Sequence, residues 1–212
     1  YCATHPEACI LFSASDMILH IYSDASYMSE PGASSRYGGY FFFGPKYIKP
    51  PTNMPTVNGP APHQYANSQW TYHVECGIMC NALASAMESK MGGLFNNCQK
   101  GAELCTTAIE MGHDQPPTPV ATDNSAAEGV LNGTAKHEKK SRAVDMRFYW
   151  TRDRIRQGQF HIFWEAGKIN RADYYTKHHA TSHHRQMRPL LLHPTAHDLL
   201  NAQDKRLRYQ RG

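Results

Sequence analysis

What this 212-residue chain lacks excludes several classes at once. Its longest apolar runs, around residues 40–43 and 189–192, are far short of the roughly 20 residues that span a bilayer, and no charged-then-apolar signal opens it. A soluble, intracellular and cytoplasmic protein with no membrane partner is therefore expected. No Cys-x-x-Cys pair occurs among Cys2, Cys9, Cys76, Cys80, Cys98 and Cys105, and their spacing is not that of a small disulfide scaffold, so free thiols are expected. There is no internal repeat and no strong charge of one sign. Lys and Arg number 22 against 18 Asp and Glu, a net +4 that permits a polyanionic partner without demanding one. The 13 His would add charge in mild acid. The first residue is Tyr rather than Met, which suggests a piece cut from a longer polypeptide.

What is present supports one globular domain, with 41% hydrophobic residues. Residues 19–27, LHIYSDASY, alternate as a buried strand and then break, so that Asp24 is presented at a strand end at the sheet edge. Read alone, such an Asp is a turn residue. Residues 29–36 carry hairpin-loop chemistry, and GGYFFFG at 38–44 reads as the paired strand. Residues 45–66 hold six Pro and form a surface excursion. A third strand is expected over 70–79 and a long helix over 81–111, weakened at Gly92 and Gly93 and stopped by Gly112. A turn over 113–119 leads to a short strand, 120–123, ending in Asp123. Helices follow at 125–131 and 141–157, a strand at 160–164 and a helix at 170–177 with Asp173 in its first turn.

Hairpins first and crossovers later predict a mixed α/β sheet. Two strands ending in Asp24 and Asp123, with Asp173 opening the last helix, would gather three carboxylates that repel one another unless a divalent cation neutralises them. Two such ions about 4 Å apart activate water and stabilise a leaving oxygen in phosphodiester cleavage. Nucleic acid is the substrate this implies.

The segments YSDAS, ATDNSAA and RADYYTKHH, with VDMRFYWTRDRIRQGQFHIFWEAGK between them, resemble the ribonuclease H domain of copia-type (LTR) retrotransposon Pol polyproteins. The resemblance covers about residues 1–193. It implies the α/β ribonuclease H-like fold, a five-stranded mixed sheet flanked by helices, and hydrolysis of the RNA strand of RNA–DNA hybrids with two magnesium (or manganese) ions. It also implies a reverse-transcriptase domain N-terminal to residue 1. On that basis residues 1–16 are a connector, 17–180 the domain with its Pro-rich insertion at 45–66, and 181–212 a basic extension. Asp24, Asp123 and Asp173 match three of the family's four metal-binding acids.

The fourth acid is where the chain departs. Aligned on Gly92, Leu94 and Phe95, the family's metal-binding Glu falls on Lys90, and Glu88 matches a Glu two residues earlier. Residues two apart on a helix are rotated by about 200°, so Glu88 substitutes only if the first turn shifts register. An ammonium roughly 4 Å from a divalent cation is repelled by about 8 kcal/mol at an effective dielectric near 20. Weakened metal binding and cleavage are expected, with a non-cleaving hybrid-binding remnant as the alternative. A nucleic-acid-binding module unrelated to ribonuclease H explains the basic tail but not the spaced Asp residues.

Asn124 and Ser125 are candidates for contacts to the hybrid, or a plain helix cap. Lys136, Lys139, Lys140 and Arg142 are candidates for phosphate contact, or a solvated loop. His178, His179, His183 and His184 lack the Cys spacing of a zinc site and read as a surface or nucleic-acid-facing cluster. Cys76 and Cys80 are expected to pack near the third strand, Trp150 and Trp164 in the core.

Overall fold

The computed structural model describes residues 8–10, 12, 14–46, 71–80, 83–132 and 142–192. Strands β1 (Ile18–Glu30), β2 (Ser34–Gly44), β3 (His73–Met79), β4 (Thr118–Thr122) and β5 (Phe160–Trp164) form one sheet in the order β3-β2-β1-β4-β5. The first three pair antiparallel, and β4 and β5 add in parallel. Among the described residues the helices are α1 (Ala86–Glu110), α2 (Ser125–Leu131), α3 (Arg142–Arg156) and α4 (Thr181–Leu191), with a 3-10 turn at Arg171–Tyr175 before α4. This is the five-stranded mixed sheet with flanking helices that the sequence predicts.

The strand alternation decides what each face buries. Leu19, Ile21, Phe41, Val120, Phe160 and Ile162 face α1, α2 and α3, where Met91, Leu94, Cys98, Val130, Leu131 and Phe148 meet them. The alternate residues Tyr22, Tyr40, Phe42 and Ala121 form a second cluster with Ala172, against which Phe163, Tyr175 and Leu191 pack. Both faces are therefore covered.

Several expected boundaries move. β1 does not end at Asp24: its ladder with β2 runs on through Asp24↔Gly38 and, past a bulge, to Glu30↔Ser34. Asp24 thus lies inside the central strand, and the loop expected over 29–36 shrinks to the turn Pro31–Ala33. What does stop near Asp24 is the neighbour, because pairing with β4 ends at Ser23↔Thr122. α1 begins at Ala86, and Gly92 and Gly93 do not weaken it. They are buried close-approach points, since a Cβ on Gly93 would lie 3.1 Å from both the Asp24 carbonyl oxygen and Ala25 Cβ. β4 starts at Thr118, so Pro119 belongs to the strand. The helix expected over 170–177 is the short 3-10 turn, closed by i→i+3 bonds such as Thr176 N to Asp173 O at 3.2 Å. A helix also stands where an extension was expected: α4 continues to Leu191 with Pro189 in its last turns. The Pro-rich insertion lies almost wholly outside the described residues, as does most of the 1–16 connector.

Candidate functional site

The site forms where β1 outruns β4. Asp24 is buried, its side chain 3% exposed, while Asp123, just past β4, is one-fifth exposed. Between them sits Lys90 from the second turn of α1. Its Nζ donates to Asp24 Oδ1 at 3.3 Å and makes a short contact with Asp123 Oδ1. The close approach of α1 to β1 at Gly93 sets the depth from which Lys90 reaches. Partial burial by itself lowers the affinity of Lys90 for its proton. The hydrogen bond to Asp123 and the charges of both carboxylates outweigh it and hold the ammonium above the usual lysine range.

The other layer closes Asp24 from below. Thr176, at the end of the 3-10 turn, donates from Oγ1 to Asp24 Oδ2 at 2.6 Å, and the same hydroxyl lies 3.0 Å from the Asp173 carbonyl. Asn170 fixes that turn, donating from Nδ2 to the Ser23 carbonyl at 3.0 Å while its Oδ1 accepts from Ala172 N. Buried Asn97 of α1 donates to Ser23 Oγ at 2.8 Å and to the Gly38 carbonyl at 2.9 Å. Gly38, opposite Asp24 in the ladder, must lack a side chain, because a Cβ there would come within 2.8 Å of the Ala172 carbonyl oxygen.

Asp24 and Asp123 are thus brought together through Lys90. Among the described residues no hydrogen bond or ion pair joins the Asp173 carboxylate to them; only its backbone carbonyl meets Thr176, which donates to Asp24. The Asp173 carboxylate pairs with Lys177, one turn on. Among those residues no group of three or more His, Cys, Asp or Glu side chains is placed to hold a metal ion. The donor set explains why: two carboxylates that would face a divalent ion already share an ammonium, and the second oxygen of Asp24 is taken by Thr176. As they stand, these residues do not fit the ion pair that the sequence resemblance implies.

Glu88 is not drawn into the site either. Its amide donates to Ser85 Oγ at 3.2 Å and its carboxylate accepts from Ala84 N at 2.7 Å, a reciprocal cap on α1. The helix is regular from Ala86, so the register shift that would deliver Glu88 does not occur. Asn124 caps α2, its Oδ1 accepting from Ala126 N at 3.0 Å and Ala127 N at 3.1 Å, with exposed Ser125 following. Lys136, Lys139 and Lys140 lie outside the described residues, and of Arg142 only its place opening α3 is described.

Trp164 is not a core residue; 45% exposed, its indole donates to the Asp123 carbonyl at 3.1 Å. Trp150 is half-buried against the main core. Three of the four histidines pack on Tyr174: His179 stacks on its ring at 5.2 Å, His183 on His179 at 4.2 Å, and the Tyr174 hydroxyl lies 2.6 Å from His184 Nδ1, whereas His178 Nε2 lies 3.4 Å from Glu30 Oε1. Cys76 is in β3, exposed, its thiol 3.2 Å from the Tyr175 carbonyl. Sequence reasoning missed Thr176, Asn170 and Asn97. The only signal for Thr176 was its place three residues after Asp173.

The strand order and the two parallel additions to an antiparallel meander define an α/β ribonuclease H-like fold. No family model and no curated protein matches the chain. Among solved structures the chain is similar to the N-terminal RNase H domain of Rv2228c from Mycobacterium tuberculosis, at 15% identity over 76% of this chain and 91% of that one, TM-score 0.44. It is also similar to LC11-RNase H1 in complex with RNA/DNA hybrid, at 12% identity over 74% and 92%, TM-score 0.48. A third likeness is to foamy viral protease-reverse transcriptase in complex with RNA/DNA hybrid, at 12% identity over 74% and 19%, TM-score 0.45. The fold assignment rests on the chain's own topology.

Proposed function

We propose that the chain is a ribonuclease H-type domain of copia-like retroelement origin that binds RNA–DNA hybrids and whose metal-dependent cleavage is suppressed by Lys90. The observation that carries this reading is the Lys90 ammonium lodged between Asp24 and Asp123. The motifs YSDAS, ATDNSAA and RADYYTKHH support the substrate class and the descent from a polyprotein in which a reverse transcriptase comes first. The mild positive charge suits a polyanionic partner.

Suppression follows from the charge count. With Lys90 in place the two carboxylates carry a net −1 instead of −2, and the point where a cation would sit is filled. Lys90→Glu restores the acid that the resemblance places there and removes the competitor. The test is cleavage of an end-labelled RNA–DNA hybrid with magnesium by the full chain, by Lys90→Glu and by the double variant Lys90→Glu/Asp24→Asn. Cleavage by Lys90→Glu, lost again in the double variant and at least roughly tenfold slower in the unaltered chain, is the expected result, since one unit of charge at this range exceeds the about 1.4 kcal/mol per decade in rate. Equal cleavage by the unaltered chain and Lys90→Glu would reject suppression. Failure of the unaltered chain to bind hybrid at low salt would reject the substrate class.

A further inference from the structure

We propose that the groove between α1 and α3 is a second nucleic-acid contact surface, in which Arg147 and Arg154 hold two phosphates of a strand that extends beyond the Asp24 site. This rests on the hybrid-binding reading above and names which side chains carry the backbone. Arg147, Trp150 and Arg154 are spaced i, i+3 and i+7, so they share one face of α3, and about 10 Å of helix axis separates the two arginines. Phe95 of α1 meets them. The Arg147 guanidinium lies 5.9 Å from the centre of the Phe95 ring, Phe95 packs edge-on to Trp150 at 5.3 Å, and the Arg154 guanidinium lies 5.2 Å from the centre of Trp150. The result is a ladder of cation, ring, ring and cation on a half-buried surface.

A guanidinium drawn to a ring by its charge keeps N–H groups for an acceptor, and its fork matches a phosphate. Arg154 uses one such donor on Gln159 Oε1 at 3.2 Å. Helix α3, residues 142–156, contains five arginines, of which Arg147, Arg152, Arg154 and Arg156 lie in its last ten residues, against two acids, Asp145 and Asp153. Asp153 accepts from Gln157 at 2.6 Å, and among the described residues none of the four arginines forms an ion pair with a carboxylate. The sequence sets these positive charges beside aromatic rings in excess over the local acids, the pattern that suits a phosphodiester chain. The ladder leans on the same helix that carries Lys90, on a face turned about 200° from it: a Cβ on Gly92 would lie 3.2 Å from an Arg147 Nη.

The test measures binding of the full chain to a labelled RNA–DNA hybrid, and to the DNA duplex of the same sequence, over a salt series without divalent cations. Arg147→Gln/Arg154→Gln should lower the slope of log affinity against log salt by about 1.4 to 1.8, two phosphates at about 0.7 to 0.9 each. Arg147→Lys/Arg154→Lys should keep the slope. Should the double glutamine variant fail to give a cooperative melt, Arg154→Gln alone is read on the same axis, with an expected drop of about 0.7 to 0.9. An unchanged slope in a folded glutamine variant overturns the surface and leaves hybrid binding standing. Arginine-dependent binding of the DNA duplex without binding of the hybrid keeps the surface and rejects the hybrid reading; binding of neither rejects both.

Discussion

Lys90 is held by two carboxylates and holds them in turn. Lys90→Ala would leave buried Asp24 facing Asp123 with no cation between them. Breaking a buried pair costs about 3 to 5 kcal/mol, and the 22% exposure of the Lys90 side chain reduces this to about 2 to 3 kcal/mol. Denaturant unfolding should show that loss, with part of it recovered on adding magnesium or manganese to Lys90→Ala and none gained by the unaltered chain. His20 is the residue that sets an acid limit. It is stacked on Phe42 at 4.9 Å, its Nε2 lies 2.8 Å from the Pro45 carbonyl, and burial pushes it down to about 4. The unfolded state therefore takes up its proton first, so the contribution of neutral His20 is complete above about pH 6.5 and is lost as pH falls towards 4. The loss amounts to roughly 3 kcal/mol. A His20→Phe variant, compared by melting across that window, should lack this part of the slope.

Elements position these residues through close approaches that depend on absent side chains. Gly38 admits the 3-10 turn against β2, and through that turn Thr176 reaches Asp24. Gly38→Ala should cost about 1 to 3 kcal/mol by forcing the turn outward, and faster amide exchange at Ala172 and Thr176 would report the displacement. The long α1, the short α2 and β5 were legible because their periodicity and caps lie within one segment. The full length of β1 was not legible. Ser29, Pro31 and Gly32 signal a loop locally, while the ladder that extends the strand to Glu30 is decided by β2. The 3-10 form of the turn expected as a helix over 170–177 is likewise set at long range: its helix-like composition is overridden by Asn170, which ties the turn to the Ser23 carbonyl on a strand nearly 150 residues earlier. The departure at Lys90 was legible from the chain alone, but its partners were not. Repulsion of a metal followed from charge, whereas the reach of the ammonium to both carboxylates depends on where α1 crosses β1.

At the scale of the whole molecule, the two-sided sheet sets the apolar cores apart from the polar site. Two aromatic and aliphatic clusters, one per face, anchor β1 and β4 up to Ser23 and Thr122, and the polar group sits just beyond. Chelation should accordingly leave the melting temperature of the unaltered chain where it is and lower that of metal-loaded Lys90→Glu; a chelator-sensitive unaltered chain would contradict the closed site. The covalent attachment of Lys90 carries a further consequence. An ion from solution must compete with a resident that never diffuses away, so its apparent affinity is scaled by the fraction of time the lysine has swung out. Each about 1.4 kcal/mol of preference for the inward lysine makes that vacancy tenfold rarer, and raising the metal concentration can only offset it in direct proportion.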